Sequence, residues 1–162
     1  YIAGLQHYVP LVMPMLAPYV NSYRRLTRNM SAPINVQWGY DNRTCGIRVP
    51  ESDPANRRVE NRVPGVDVNP YLAMAATLGA GYLGMVEQRQ PSEPMKTSAW
   101  DMDFELPSHM EDSIRRMREC EPVRDVFGGA FIDAFLAVKE LEYATYNRVI
   151  SSWEREHLLL NV

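Results

Sequence analysis

The chain has 162 residues, 46% of them apolar, and a formal net charge of −3, which is enough chain to bury a core as one domain. Its pI of about 5.6 excludes a general nucleic-acid binder and a basic membrane-surface binder. The 2 cysteines, Cys45 and Cys120, are far apart and outside any C-x-x-C pair, which argues against zinc and a disulfide framework and fits a reducing cytoplasm.

No signal peptide is visible, and the chain opens at Tyr1 in mid-pattern, as a piece of a longer protein would. Residues 1–9 (YIAGLQHYV) read as a short apolar helix. Pro10, Pro14 and Pro18 break the apolar run that follows, so it is not a membrane span. Residues 21–29 (NSYRRLTRN) are polar and basic. Residues 34–40 (INVQWGY) have the alternation and aromatic content of a strand. Asp41 and Asn42 fit a turn, and residues 45–49 a second strand that closes a hairpin. Residues 50–56 are loop and residues 59–63 a third strand. Asn69 and Pro70 make an N-cap followed by proline at the first helical position, opening a helix to about residue 88. Residues 90–107 are a proline-rich loop of a length often functional or found at interfaces. Residues 108–119 are a helix, Pro122 interrupts, and Gly128 and Gly129 precede a long closing helix over 130–159.

The chemistry concentrates between residues 42 and 71. Arg43 and Arg48 end one strand-like segment, and Arg58 and Arg62 flank Glu60 in the next. Residues 58, 60 and 62 share one face of a strand, because side chains alternate. One such strand is ordinarily a solvated edge with a surface ion pair. Two adjacent strands with four arginines and one carboxylate point instead to anionic ligands, which the guanidinium fork suits. Glu60 is then a hard-metal ligand beside those anions.

Other signals are weaker. Gly79, Gly81 and Gly84 match G-x-G-x-x-G, but inside a helix and not between strand and helix, so close helix packing is the better account. His7, His109 and His157 are scattered with no second histidine at ligand spacing. Met13, Met15, Met74 and Met85 read as core or contact filler. Trp153, Leu158, Leu159 and Leu160 either close the core or dock on another subunit.

The block NSYRRL, AP(I)N, NRTCGIRVP, RRVENRVPG and NPYLAMAA resembles the C-terminal half of the glutamine synthetase catalytic domain, its motifs in the family's order and spacing. The PG.D.NPYL form and the WEREHLLLNV ending are more similar to the branch that holds gamma-glutamylputrescine synthetases. The resemblance implies an α+β architecture over residues 1–162: antiparallel strands of a curved sheet, backed by helices, with the N-terminal beta domain and the first half of the catalytic domain outside this stretch. It implies an ATP-dependent ligase joining glutamate to an amine or ammonia through gamma-glutamyl phosphate, with Mg2+ or Mn2+, in a cytoplasmic homo-oligomer that is a dodecamer in the family. By position, Arg25 and Arg62 match glutamate-binding arginines. Arg43 and Arg48 match the cluster at the transferring phosphate, Arg43 and Arg58 fall near the nucleotide, and Glu60 matches a ligand of the phosphate-side metal.

Two departures from the family pattern matter. Ser31 stands where the flap usually carries a glutamate that helps take ammonium's proton, which favours an amine as nucleophile. Phe104, in DFELP, stands where some bacterial enzymes have an adenylylated tyrosine, so that regulation is not expected. The rival readings are glutamine synthetase itself and a non-catalytic scaffold. Retention of Glu60 and the strand arginines speaks against the scaffold, and the stretch alone, as half a site, is expected to be inactive.

Overall fold

In the computed structural model, which describes residues 1–161, helices dominate and a small mixed sheet lies among them. Val162, the last residue of the WEREHLLLNV ending, lies outside the described residues. The helices are α1 (Ile2–Tyr8), α2 (Met13–Leu16), α3 (Val20–Tyr23), α4 (Pro70–Val86), α5 (Met110–Glu119), α6 (Glu121–Phe127), α7 (Gly129–Asn147) and α8 (Ser152–His157). The strands are β1 (Trp38–Tyr40), β2 (Ile47–Val49) and β3 (Glu60–Asn61), in the order β1-β2-β3.

The prolines begin helices more than they break them. Pro14 and Pro122 lie in the first turns of α2 and α6, where a missing N–H leaves no bond unmade. Pro122 therefore starts a helix and does not interrupt one. The closing segment is also not one long helix: α7 stops at Asn147, and α8 begins afresh with a capping box between Ser151 and Glu154. Asn69 caps α4 as its sequence implies, accepting from the N–H groups of Tyr71 and Leu72.

The expected hairpin is absent. β1 and β2 pair parallel, Trp38 opposite Ile47, while β2 and β3 pair antiparallel. A parallel return in so few residues is open only to very short strands. The return is made possible by Asp41 at φ 46° and by Asn42, whose Oδ1 accepts from the backbone and hydroxyl of Thr44 at 3.0 and 2.6 Å. The loop over residues 90–107 straps the free side of β1: Met95 N–H donates to Trp38 O at 2.7 Å, and the Trp38 indole to Ser92 O at 2.8 Å. Glu105 accepts from Val36 N–H at 2.7 Å and from Gln37 at 2.8 Å. That loop has no regular period because it follows another segment's backbone.

The core joins Leu5, Val12, Leu16, Ile47, Ala76 and Met117, all fully buried. Met13 and Met15 belong to it, while Met74 and Met85 are exposed and so take no part in the core. Trp153, Leu158, Leu159 and Leu160 do not close it either, being exposed. The glycines of α4 serve packing. A Cβ on Gly4 of α1 would overlap Ala80 O and come within 2.9 Å of Gly84 Cα, and one on Gly79 would strike the Phe127 ring.

The close approach of α1 and α4 yields a test. Gly84→Ala should cost about 1–3 kcal/mol, the usual range for overpacking. Thermal unfolding followed by circular dichroism would read this as a lowered Tm. An unchanged Tm would mean that the two backbones separate without penalty.

Candidate functional site

The antiparallel register sets Arg48 on β2 directly opposite Glu60 on β3. Residues so paired share a face of the sheet, which brings their charged ends together. Arg48 donates through Nη1 to Glu60 Oε2 at 2.8 Å and through Nη2 to Asp41 Oδ1 at 2.6 Å. Asp41 arrives because the parallel register runs one residue past β1, where its N–H donates to Val49 O at 3.1 Å. Its carboxyl is held below its ordinary value by the Glu51 N–H first and by the Arg48 guanidinium next.

Arg62 approaches Glu60 from the other side, Nε lying 3.7 Å from Oε1. Its remaining donors go to backbone. Nη1 donates to Arg43 O and, at 3.0 Å, to Cys45 O, and Nη2 donates to Ser31 O at 3.0 Å. Burial lowers the Arg62 pKa, the Glu60 charge opposes that, and the neighbouring charges of Arg48 and Arg43 lower it further. Three guanidinium groups thus crowd against the carboxylates of Asp41 and Glu60, and positive charge is left in excess. Such a surplus favours a polyanion.

Arg25 reaches the residue next to Arg62. It donates to Val63 O, immediately after Arg62, and Asp67 steadies its charge against the lowering effect of burial. Asp67 is itself held by Ser22, whose hydroxyl donates to Oδ2 at 2.5 Å. Gly65 admits the side chain, since a Cβ there would lie 3.1 Å from Arg25 Nε. The Nε atoms of Arg25 and Arg48 are buried and have no acceptor among the described residues.

The structure therefore gathers Arg43, Arg48, Glu60 and Arg62, with Arg25 beside them. Arg58 stays outside: it is exposed and turns back to Asn56 O at 3.4 Å. β3 begins only at Glu60, so the alternating face runs forward to Arg62 and not back to Arg58. Asp41, read from sequence only as a turn residue, and Asp67, read only as part of the PG.D.NPYL form, carry site geometry. Neither pattern gives the role, because each residue acts across a contact made by folding. Cys45 is no nucleophile: burial pushes its thiol up to about 11, against the opposing Arg62 charge. His7, His109 and His157 are exposed, and no three His, Cys, Asp or Glu converge as a metal set among the described residues. No helix among them is long and apolar enough to cross a membrane.

Comparison with known proteins shows what the chain is similar to. The model of the glutamine synthetase catalytic domain matches residues 1–158. Gamma-glutamylputrescine synthetase PuuA of Escherichia coli is 34% identical over 161 residues, 99% of this chain and 34% of that protein. Glutamate–isopropylamine ligase of a Pseudomonas species is 32% identical over 95% of this chain and 34% of its own length. A glutamine synthetase of Methanococcus voltae is 31% identical over 95% of this chain and 36% of its own. A solved structure of apo GmaS without ligand superposes with a TM-score of 0.85 at 31% identity, covering 98% of this chain and 37% of that one. The chain thus spans about a third of the length of the relatives it matches.

The Asp41 contacts set a pH dependence. A carboxyl whose folded pKa is depressed adds stability above its ordinary value of 3.8, and that stability is lost as pH falls through the folded value. Asp41→Asn should therefore lower Tm at neutral pH, and the gap to the parent should close as pH drops below 3.8. A gap that stays constant across that range would show that the Asp41 charge contributes nothing.

Proposed function

Because the chain belongs to the glutamine synthetase catalytic-domain family, we propose that it carries the phosphate-side and glutamate-side arginines of an ATP-dependent ligase that joins the gamma-carboxylate of glutamate to an amine. The observation that carries this reading is the ion-pair ladder of Asp41, Arg48, Glu60 and Arg62, with the Ser31 backbone tied into it. In the first step a gamma-carboxylate oxygen attacks the gamma-phosphorus of ATP and ADP leaves. In the second the amine nitrogen attacks the acyl carbon, phosphate leaves and the amine gives up a proton. Arg43 and Arg48 would stabilise the charge that develops on the transferring phosphoryl group. Arg25 and Arg62 would orient glutamate, with Arg62 also fixing the loop under the phosphate. Arg58 would reach the nucleotide from the rim.

Glu60 offers a half-exposed carboxylate with room for a further partner, and its hard oxygens suit Mg2+ or Mn2+ as one ligand among several. The cation would supply charge neutralisation at the phosphate oxygens. Nucleotide use is supported by the likeness to a solved GmaS/ADP complex, at a TM-score of 0.85 and 30% identity. The family relation likewise supports a ring-shaped homo-oligomer, a dodecamer.

An amine is favoured over ammonia by Ser31. Ammonium must be held as a cation and deprotonated before attack, and a serine at that position brings no charge to either task. A primary amine carries an apolar stem that other contacts can hold. Ammonia is the second reading, favoured by the glutamine synthetases among the relatives.

Two measurements on a polypeptide of the relatives' full length test this. Glu60→Ala should abolish turnover and weaken divalent-cation binding while leaving the fold intact, and normal turnover would end its assignment. Phosphate release with glutamate and ATP should favour putrescine or a longer amine over ammonium in kcat/KM. A 100-fold preference corresponds to roughly 2.7 kcal/mol of differential transition-state stabilisation. If ammonium is the better substrate, the amine reading falls and the ammonia reading stands.

A further inference from the structure

The segment that carries Ser31 has little of its own to hold it. Thr27, Arg28, Asn29, Met30 and Ser31 are all exposed, and no helix or strand includes them. The nearest buried residues are Leu26 on one side and Pro33 on the other. Among the described residues, hydrogen bonds and ring contacts fasten residues 28–32 to other segments at two points. At Ser31 the carbonyl accepts from Arg62 Nη2 at 3.0 Å. At Arg28 the guanidinium donates through Nη1 to Trp100 O and lies over the Phe104 ring, 5.1 Å from its centroid. Asn29 turns the chain between the two points at φ 60°, a conformation that asparagine adopts more readily than most residues.

The Arg28 fastening ends on a rigid platform. Ala99 is fully buried, its N–H donates to Thr44 Oγ1 at 2.8 Å, and its carbonyl accepts from Asn35 Nδ2 at 2.7 Å. Beyond Phe104, the N–H groups of Glu105 and Leu106 donate to Ile34 O at 3.1 and 3.3 Å, and Leu106 is buried. Residues 100–104 are bracketed by these points, so the Trp100 carbonyl and the Phe104 ring are fixed, and residues 27–31 are the part that needs holding. Asp101 and Asp103 lie on the same stretch, yet neither pairs with Arg28 among the described residues. The guanidinium takes a carbonyl and an aromatic face. A planar fork can donate at its edge while its face lies on a ring, which a lysine ammonium cannot do.

We propose that Arg28 is a positioning residue for the amine. By pinning residues 27–31 to Trp100 and Phe104, it sets where Ser31 stands at the site. The proposal deepens the ligase reading and rests on it for the role of Ser31. Arg62 keeps Glu60 and the carbonyls of Arg43 and Cys45 whether or not Arg28 is present. Release of the segment therefore disturbs the nucleophile and leaves glutamate and nucleotide in place.

Phosphate release by a polypeptide of the relatives' full length, with putrescine as the varied amine, reads the effect. Arg28→Ala should raise the putrescine KM about tenfold, the combined effect of one charged hydrogen bond and one exposed cation–π contact, and leave the KM values of glutamate and ATP within about a factor of two. Arg28→Lys should recover part of the loss, keeping the charge over the ring without the fork. Phe104→Leu should raise the putrescine KM about threefold in the parent and add little in Arg28→Ala, because the two residues act through one contact. Independently of turnover, thermolysin should cut the Asn29–Met30 bond roughly fivefold faster in Arg28→Ala, since cleavage follows local opening. An unchanged putrescine KM, a parallel rise in the glutamate and ATP values, or additive effects of Arg28→Ala and Phe104→Leu overturns the proposal. If the parent prefers ammonium, the same split is read on the ammonium KM. If the parent turns over neither nucleophile, the ligase reading falls and the thermolysin rate alone decides the pin: faster cleavage of Arg28→Ala upholds it and equal cleavage overturns it.

Discussion

Arg62 spends its N–H groups on the carbonyl oxygens of Ser31, Arg43 and Cys45, and its Nε faces Glu60. One guanidinium therefore joins three stretches that are far apart in sequence: the turn before Ala32 and Pro33, the return loop between β1 and β2, and β3. The planar fork makes this possible, since a lysine ammonium could not serve three separate backbone acceptors in fixed directions. The stakes are highest at the Cys45 carbonyl, whose residue is buried, while those of Ser31 and Arg43 lie where water can replace the donor. Arg43 depends on this clamp most directly, since it sits on the loop whose carbonyls Arg62 holds. Arg48 depends on it through Glu60, which Arg48 and Arg62 approach from opposite sides.

The chain reads well where chemistry is local. Asn69 and Pro70 announce α4, and the rejection of a dinucleotide loop at Gly79, Gly81 and Gly84 is upheld by their contacts with Phe127, Tyr1 and Gly4. The nearness of Glu60 and Arg62 was also legible from their period-two spacing, while Arg48 joins them through the β2–β3 register and Arg43 through the return loop. What fails is what tertiary contact decides. Turn residues at Asp41 and Asn42 are equally compatible with a hairpin and with the parallel return found, and the choice rests on Thr44 and on the strap at residues 92–99. Strand lengths shrink for the same reason: Ile34 and Asn35 bond to the strap and not to a strand. Arg58 was grouped with Glu60 on the assumption of a strand longer than the two residues that form.

α4 shows why composition alone could not tell core from surface. Its methionines share the residue type of Met13 and Met15 but lie on the face away from α1. A helix that is apolar on both faces gives no amphipathic signal to orient it. The orientation instead comes from volume. Only small residues let α1 approach within contact of the α4 backbone, so the glycine and alanine side turns inward and the large side chains are driven outward. The same packing that stabilises the pair thus leaves the large side chains of the opposite face exposed.

The electrostatics of the site follow from these constraints. Arginine is not deprotonated within a folded protein, so the lowered Arg62 and the raised Arg48 both stay cationic in the working range of an enzyme. Asp41, held below the usual carboxylate range, stays anionic across it. These groups give a charge template that pH does not switch, which suits stabilisation of a phosphoryl group whose charge is itself large and fixed. A neutral amine, by contrast, is a minor species near neutral pH when its pKa is near that of a lysine, about 10.4. In the proposed ligase the variable that pH controls is therefore the nucleophile and whatever takes its proton. That second group must come from outside the arginine cluster, since guanidinium groups have no lone pair to accept it.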